Sequence, residues 1–201
     1  YKTVPGDDTL YKKTPFGTII EYDEQGNIVW SWKSADYFTS SDIINYDATG
    51  VQPVDVHENA FFFDEEQKVI YVSYRNINKV IKLKYPEGVV LASYGEAYKP
   101  GMPETGSGLF CGQHSCNIAR NGNLYLFNNN ICDPMGLPKL IMMKEAADSL
   151  EKVWEYQCTV EHMPGKVIRN YRFISGGSVQ ELPDQSLFAC MNEPIVKITV
   201  P

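Results

Sequence analysis

Helix-forming pattern is almost missing from this chain. The single stretch with helical character is KEAADSL, residues 144–150, and its place between two strand-like segments suits a turn or a short helical cap. No apolar run approaches the about 20 residues that cross a bilayer as a helix. The first residues, YKTVPGDDTLYKK, hold no hydrophobic signal-peptide core. Excess positive charge is missing too: the net charge is −7, which argues against nucleic acid or an anionic membrane as partner. Any anionic substrate therefore needs a local cluster of positive groups. The five cysteines form no CxxC pair, and their odd number leaves at least one thiol outside any intrachain disulfide. A buried free thiol is the expected state, because cysteine packs as a small hydrophobe.

What remains is β pattern. Short apolar segments rich in Val, Ile, Tyr and Phe are separated by Gly, Asn, Asp and Pro. In order they are GTIIEYD, NIVWSWK, HENAFFFD, KVIYVSYR, KVIKLKY, VVLASYG, HSCNIAR, LYLFNN, KLIMMKE, KVWEYQC, GSVQELP, SLFACM and PIVKITV. Turns fall at Glu24-Gln25-Gly26-Asn27, Glu65-Glu66-Gln67, Asn121-Gly122-Asn123 and Pro183-Asp184-Gln185.

These segments repeat. HENAFFF, KVIYVSY, KVIKLKY and VVLASYG form one set of four, and HSCNIA, LYLFNN, KLIMMK and KVWEYQ form a second. A third set, GSVQEL, SLFACM and PIVKIT, lacks its last member, and GTIIEYD with IVWSWK resembles the end of a preceding set. The period is roughly 55–60 residues, longer than the about 40–50 of a common propeller blade, with the excess in linkers at Ala97–Gly108 and Thr159–Arg172. Tandem four-stranded units predict an all-β chain, a β-propeller of four-stranded antiparallel blades. A β-sandwich built from meanders is the competing architecture. About three and a half blades are counted over residues 1–201, read as one domain. The expectation is the C-terminal part of a ring whose N-terminal blades are missing. A second chain completing the ring, or a homo-oligomer, would cover the exposed faces.

The repeat gives four polar residues a shared address. His57 opens HENAFFFD and His114 opens HSCNIAR, so both lie at equivalent ends of their units. Strand alternation places His57 and Asn59 on one face, and His114 and Cys116 on one face. Arg75 ends the strand returning toward His57. Arginine presents a rigid fork of donors to sulfate, phosphate or carboxylate oxygens. Histidine supplies a nucleophile or a proton donor near neutral pH, and Asn59 offers an uncharged donor to a developing oxyanion. Together they predict an anion site with a nucleophile. His162 has no echo in another repeat and receives no role, and Trp30 and Trp32 are expected to pack between blades. Cys111, His114 and Cys116 raise the alternative of a metal site, but CGQHSC is not a recognised zinc spacing, and no metal is expected.

Three stretches carry a family resemblance over about residues 17–192. IIEYDEQGNIVWSW, DVHENAFFFDEEQKVIYVSYRNINKVIKL and GQHSCNIARNGNLYLFNNN resemble the blade-ending pattern, the His-x-Asn with Ser-x-Arg strand pair, and the Gln-His strand of the arylsulfotransferase family. The resemblance implies a six-bladed propeller, usually exported, placing this chain in the periplasm or outside the cell. It implies transfer of a sulfuryl group from an aryl sulfate to a phenol through a sulfohistidine, with no nucleotide or other cofactor. By position, His114 matches the sulfuryl-accepting histidine, and His57, Asn59 and Arg75 match the residues that bind and polarise the sulfate oxygens. A hydroxyl in a later blade is matched only loosely, by Ser175 or Ser178. A family disulfide near the site would involve Cys111 or Cys116. The alternative function is a non-catalytic propeller that binds an anionic aromatic ligand or a protein partner.

Overall fold

A computed structural model describes residues 2–6, 10–39, 56–95, 109–131, 137–146, 149–158, 176–190 and 195–200. Apart from one 3-10 turn at Ser34–Asp36, the regular structure there is all β. A leading hairpin pairs β1 (Lys2–Gly6) with β2 (Leu10–Thr14). Then come β3 (Thr18–Tyr22) and β4 (Ile28–Lys33), a two-stranded sheet. A four-stranded sheet follows in chain order: β5 (Glu58–Asp64), β6 (Val69–Tyr74), β7 (Lys79–Lys84) and β8 (Val90–Tyr94). Its successor repeats that order with β9 (His114–Ile118), β10 (Leu124–Asn128), β11 (Lys139–Ala146) and β12 (Ser149–Gln157). The last sheet has three strands, β13 (Ser178–Glu181), β14 (Leu187–Cys190) and β15 (Ile195–Ile198). Every pairing is antiparallel.

All thirteen segments read as strands from the sequence fall on β3 to β15. The leading hairpin was not expected, because KTVPG and LYKKT show no apolar alternation. The reading of KEAADSL as a helical cap is corrected for its described residues, and Ala147 and Asp148 lie outside them. Lys144–Ala146 continue β11 and Ser149–Leu150 begin β12, with Glu145 opposite Leu150 and Ala146 opposite Ser149. Cross-strand pairing overrides the helical preference of so short a segment.

Three hairpin turns share one geometry. In each, the first residue's N–H donates to the carbonyl four residues on, and the fourth residue's N–H donates back to the first: Asp23 with Asn27 and Gly26, Ala119 with Asn123 and Gly122, Leu182 with Ser186 and Gln185. The fourth residue takes a positive φ in every case, 84° at Gly26, 82° at Gly122 and 65° at Gln185. Asp23 reinforces its turn by accepting from the N–H groups of Gln25 and Asn27.

The sheets pack face to face in chain order. Ile70, Val72 and Tyr74 of β6 join Trp32, Ile81 and Leu83 in the first apolar cluster. Val69 and Tyr71, on the other face of β6, join Leu124, Leu126, Ile141 and Met143 in the second. Tyr125 and Phe127 turn the opposite way, to meet Val179, Leu187 and Ala189 in the third. Both β6 and β10 are therefore buried on both faces, every residue of each. Each fully buried Ile, Leu or Phe contributes about 1.5–3 kcal/mol. Trp30 and Trp32 do pack between sheets, and their indole N–H groups donate to the carbonyls of Pro86 and Gly88.

A polar clasp adds to the second interface. Glu145 on β11 accepts from Lys82 Nζ at 2.7 Å, Tyr94 Oη at 2.7 Å and Tyr71 Oη at 3.1 Å. Burial pushes the Glu145 carboxyl up, but the bonds from Lys82 and Tyr94 outweigh it and hold the group below the usual carboxylate range.

Candidate active site

The two histidines meet. The rings of His57 and His114 lie 6.4 Å apart, centroid to centroid, at 69° to one another. Each stands at the start of the first strand of its sheet, so the repeat itself brings them together.

Strand alternation does not describe how they get there. His57 precedes β5 in a left-handed conformation (φ 53°), and the register of β5 against β6 slips between Glu58 and Ala60, making Asn59 the extra residue of a bulge. In β9, Ser115 is left-handed (φ 56°), and the register slips between Phe127–His114 and Tyr125–Asn117. The expected same-face pair of His114 and Cys116 is corrected on this ground. Cys116 is buried in the apolar cluster, whereas His114 is half-buried and turned to a polar neighbourhood. The Ser115 hydroxyl locks its bulge to the next sheet, accepting from Val179 N–H and donating to Val179 O, both at 3.0 Å.

Arg75 follows β6 directly. Its backbone N–H donates to the His57 carbonyl at 2.9 Å, and its guanidinium donates to Asn76 Oδ1 at 2.8 Å. Asn59 makes a contact the sequence did not announce. Its amide donates to the Gln113 carbonyl at 2.7 Å, which ties the His57 strand to the His114 strand and uses one of its two amide hydrogens. Gln113 continues the tie: fully buried, its Nε2 lies 3.1–3.2 Å from Ser73 Oγ, Tyr74 O and Lys79 O.

His114 Nδ1 lies 2.8 Å from Asn129 Oδ1 and 3.3 Å from Gly112 O. Burial lowers the proton affinity of the ring, the bond to Asn129 raises it, and the Coulomb effect of the Arg75 guanidinium lowers it again. The net result is below the ordinary histidine range, so the ring is neutral at physiological pH. A neutral imidazole beside a guanidinium and a second imidazole can attack an electrophilic centre whose oxygens the arginine holds.

Asn129 carried no assigned role in the sequence reading. Its signal was positional: Arg75 is the first residue after β6, and Asn129 is the first after β10. Asn128 was likewise missed, and its Oδ1 accepts from the backbone N–H of Cys111 and of Asn130.

Cys111 is disulfide-bonded, whereas Cys116, Cys158 and Cys190 are free. Of the two cysteines weighed for a disulfide, Cys111 enters one and Cys116 does not. That bond also removes Cys111 from the ligand set weighed for a metal. Burial pushes the Cys158 thiol up to about 12, so it is an inert packing group. Ser178 opens β13, and Ser175, Cys132 and His162 lie outside the described residues.

No curated protein matches the chain. A crystal structure of a Bacteroides uniformis protein provisionally described as a 6-phosphogluconolactonase superposes with a TM-score of 0.45 at 12% identity, covering 90% of this chain and 50% of that one. The chain thus spans about half the length of that protein. The arylsulfotransferase family model matches residues 7–175. With the two histidine-bearing strand pairs inside that match, the chain belongs to the arylsulfotransferase family.

Proposed function

We propose that this chain carries the sulfuryl-transfer site of an aryl-sulfate sulfotransferase, with His114 as the nucleophile. The observation that carries the reading is the convergence of a neutral, half-buried His114 on His57, within the field of Arg75. Successive four-stranded sheets packed face to face are the blades of a β-propeller in this reading, and the histidines stand at one mouth of it.

The donor is an aryl sulfate. The imidazole lone pair forms an N–S bond while the ester S–O bond breaks, and its electrons leave on the phenolate oxygen. That oxygen takes a proton, with His57 as the donor. Arg75 holds the peripheral sulfate oxygens, where charge is spread in the transition state, as in phosphoryl transfer. A phenol then gives its proton to His57 and attacks sulfur, breaking the N–S bond and restoring His114. Two displacements replace one, the pattern of covalent catalysis. The donor supplies the transferred group, so no nucleotide or metal is needed. Asn59 acts here by holding the two histidine strands together. A periplasmic or extracellular setting suits the disulfide at Cys111.

The test is intact mass after brief exposure to p-nitrophenyl sulfate, with p-nitrophenol release followed in parallel. The expected result is a gain of one sulfuryl group that maps to His114 and disappears on adding phenol. Absence of both adduct and nitrophenol from the folded protein would overturn the reading in favour of a module that only binds anionic aromatics.

A further inference from the structure

We propose that Asn129 is a positioning residue, which fixes the tautomer of His114 so that Nε2 presents its lone pair to the sulfur. This rests on His114 being the sulfuryl acceptor, and it adds a residue in the second strand pair that acts through the imidazole and not on the substrate.

The argument is a chain of hydrogen-bond polarity. Asn129 Nδ2 donates to the carbonyl of Gly176 at 2.8 Å. A carbonyl only accepts, so that end of the carboxamide is the NH2 group and Oδ1 is the end facing His114. His114 Nδ1 therefore has two neighbours, Asn129 Oδ1 at 2.8 Å and Gly112 O at 3.3 Å, and both are acceptors. Nδ1 must carry the hydrogen. In the neutral ring the lone pair then belongs to Nε2.

Two consecutive sheets contribute to this arrangement. The imidazole belongs to β9, Asn129 follows β10, and Gly176 precedes β13 in the next sheet. Asn129 is 1% exposed, so water does not compete for its carboxamide. Asn128 anchors the approach to Gly112 by accepting the Cys111 N–H, and the Asn130 amide donates to Leu137 O. Each residue of the Asn-Asn-Asn run thus holds a different piece of backbone or ring, and only the middle one touches His114.

The choice of an amide over a carboxylate has a chemical reason. When Nε2 attacks, the N–S bond forms, the ester S–O bond breaks, and the ring becomes an N-sulfonated cation that keeps its Nδ1 hydrogen. Asn129 Oδ1 meets that growing charge with a fixed dipole. A carboxylate in the same place would stabilise the cation more, but it would also favour the protonated free ring, which has no lone pair to offer. An amide supports the charged intermediate while leaving the resting imidazole neutral.

The test uses the full chain, with Asn129→Ala and Asn129→Asp beside the parent. Ring 15N chemical shifts of His114, recorded without substrate, report which nitrogen carries hydrogen. The parent is expected to show Nδ1–H with bare Nε2, and Asn129→Ala to move toward Nε2–H. A parent ring in the Nε2–H form would overturn the proposal without any variant. In sulfuryl transfer from p-nitrophenyl sulfate, Asn129→Ala should lower plateau kcat on the order of 10–100-fold with little change in KM. The acid limb of the rate profile should move to lower pH in Asn129→Ala, which loses a bond that favours the protonated ring, and to higher pH in Asn129→Asp. A residue needed only for folding would not shift the two limbs in opposite directions. Parent tautomer, acid limb and kcat retained in both variants would sink the idea. A parent that transfers no sulfuryl group yet shows the Nδ1–H tautomer overturns the transferase reading and leaves the hydrogen-bond assignment supported.

Discussion

Replacing Gly177 by alanine should cost far more than replacing its neighbour Gly176. Gly177 has φ 103°, and a Cβ built on it would lie 2.5 Å from Phe127 Cε1, 2.6 Å from Cδ1 and 2.8 Å from Cζ. Phe127 is fully buried among Leu140, Val179 and Leu187, so the ring has little room to move away. The backbone conformation alone costs alanine about 1–3 kcal/mol, and forcing the ring aside adds about 1–3 kcal/mol. Gly176, at φ 85°, has nothing within 4 Å of its virtual Cβ, so alanine there bears only the backbone cost, about 1–2 kcal/mol. The contact with Phe127 separates the two variants by about 1–3 kcal/mol, so at about 2–4 °C per kcal/mol for a chain of this size Gly177→Ala should melt about 2–12 °C below Gly176→Ala. Thermal denaturation followed by circular dichroism, with urea titration of the same samples, measures the gap. Equal melting points for the two variants would refute the claim that contact with Phe127 is what demands glycine at 177.

Two further outcomes follow from charge. Removing the Arg75 charge with Arg75→Gln should raise the proton affinity of His114, shift the acid limb of the rate profile to higher pH, and lower kcat/KM by about 10²-fold or more; a limb that stays put would show that the guanidinium does not act on the imidazole. Glu145→Gln leaves Lys82 without its carboxylate and should cost about 1–3 kcal/mol in urea unfolding at neutral pH. Because the folded Glu145 pKa lies below its unfolded value, that contribution is present above the usual carboxylate range and fades as pH falls through the folded value, so parent and variant should converge in acid.

The strands were legible because their signals are local: an apolar run, then Gly, Asn or Asp at a turn. The meeting of His57 and His114 was legible as well, because a repeat carries equivalent residues to equivalent places. The bulges were not. Period-two alternation assumes an unbroken ladder, and nothing in His-Glu-Asn or His-Ser-Cys announces the left-handed residues at His57 and Ser115 that break it. Asn129 was hidden for another reason. Three identical residues in a row offer no pattern to choose among, and only the direction of each side chain tells them apart. Asn59 was visible as a polar residue near the site, but its partner is a main-chain carbonyl, which sequence does not display. KEAADSL misled because helix propensity in a short segment is worth less than its pairing across a hairpin.

The double-sided burial of β6 and β10 has a consequence for how the chain finds its pairing. In a sheet with one wet face, a slip of one residue drives apolar side chains into water, and the error is self-correcting. A strand such as Val69–Tyr74, buried on both sides throughout, meets no such penalty: shifted by one, it exchanges one oily neighbour for another. Correct alignment must then be recognised by the few groups that hydrogen-bond at one offset only. Gln113 against Ser73, Asn59 against Gln113, and Ser115 against Val179 are such groups. The polar residues around the two histidines are thus also the marks by which neighbouring sheets read their alignment, and a substitution that misplaces the histidines risks misaligning the strands that carry them.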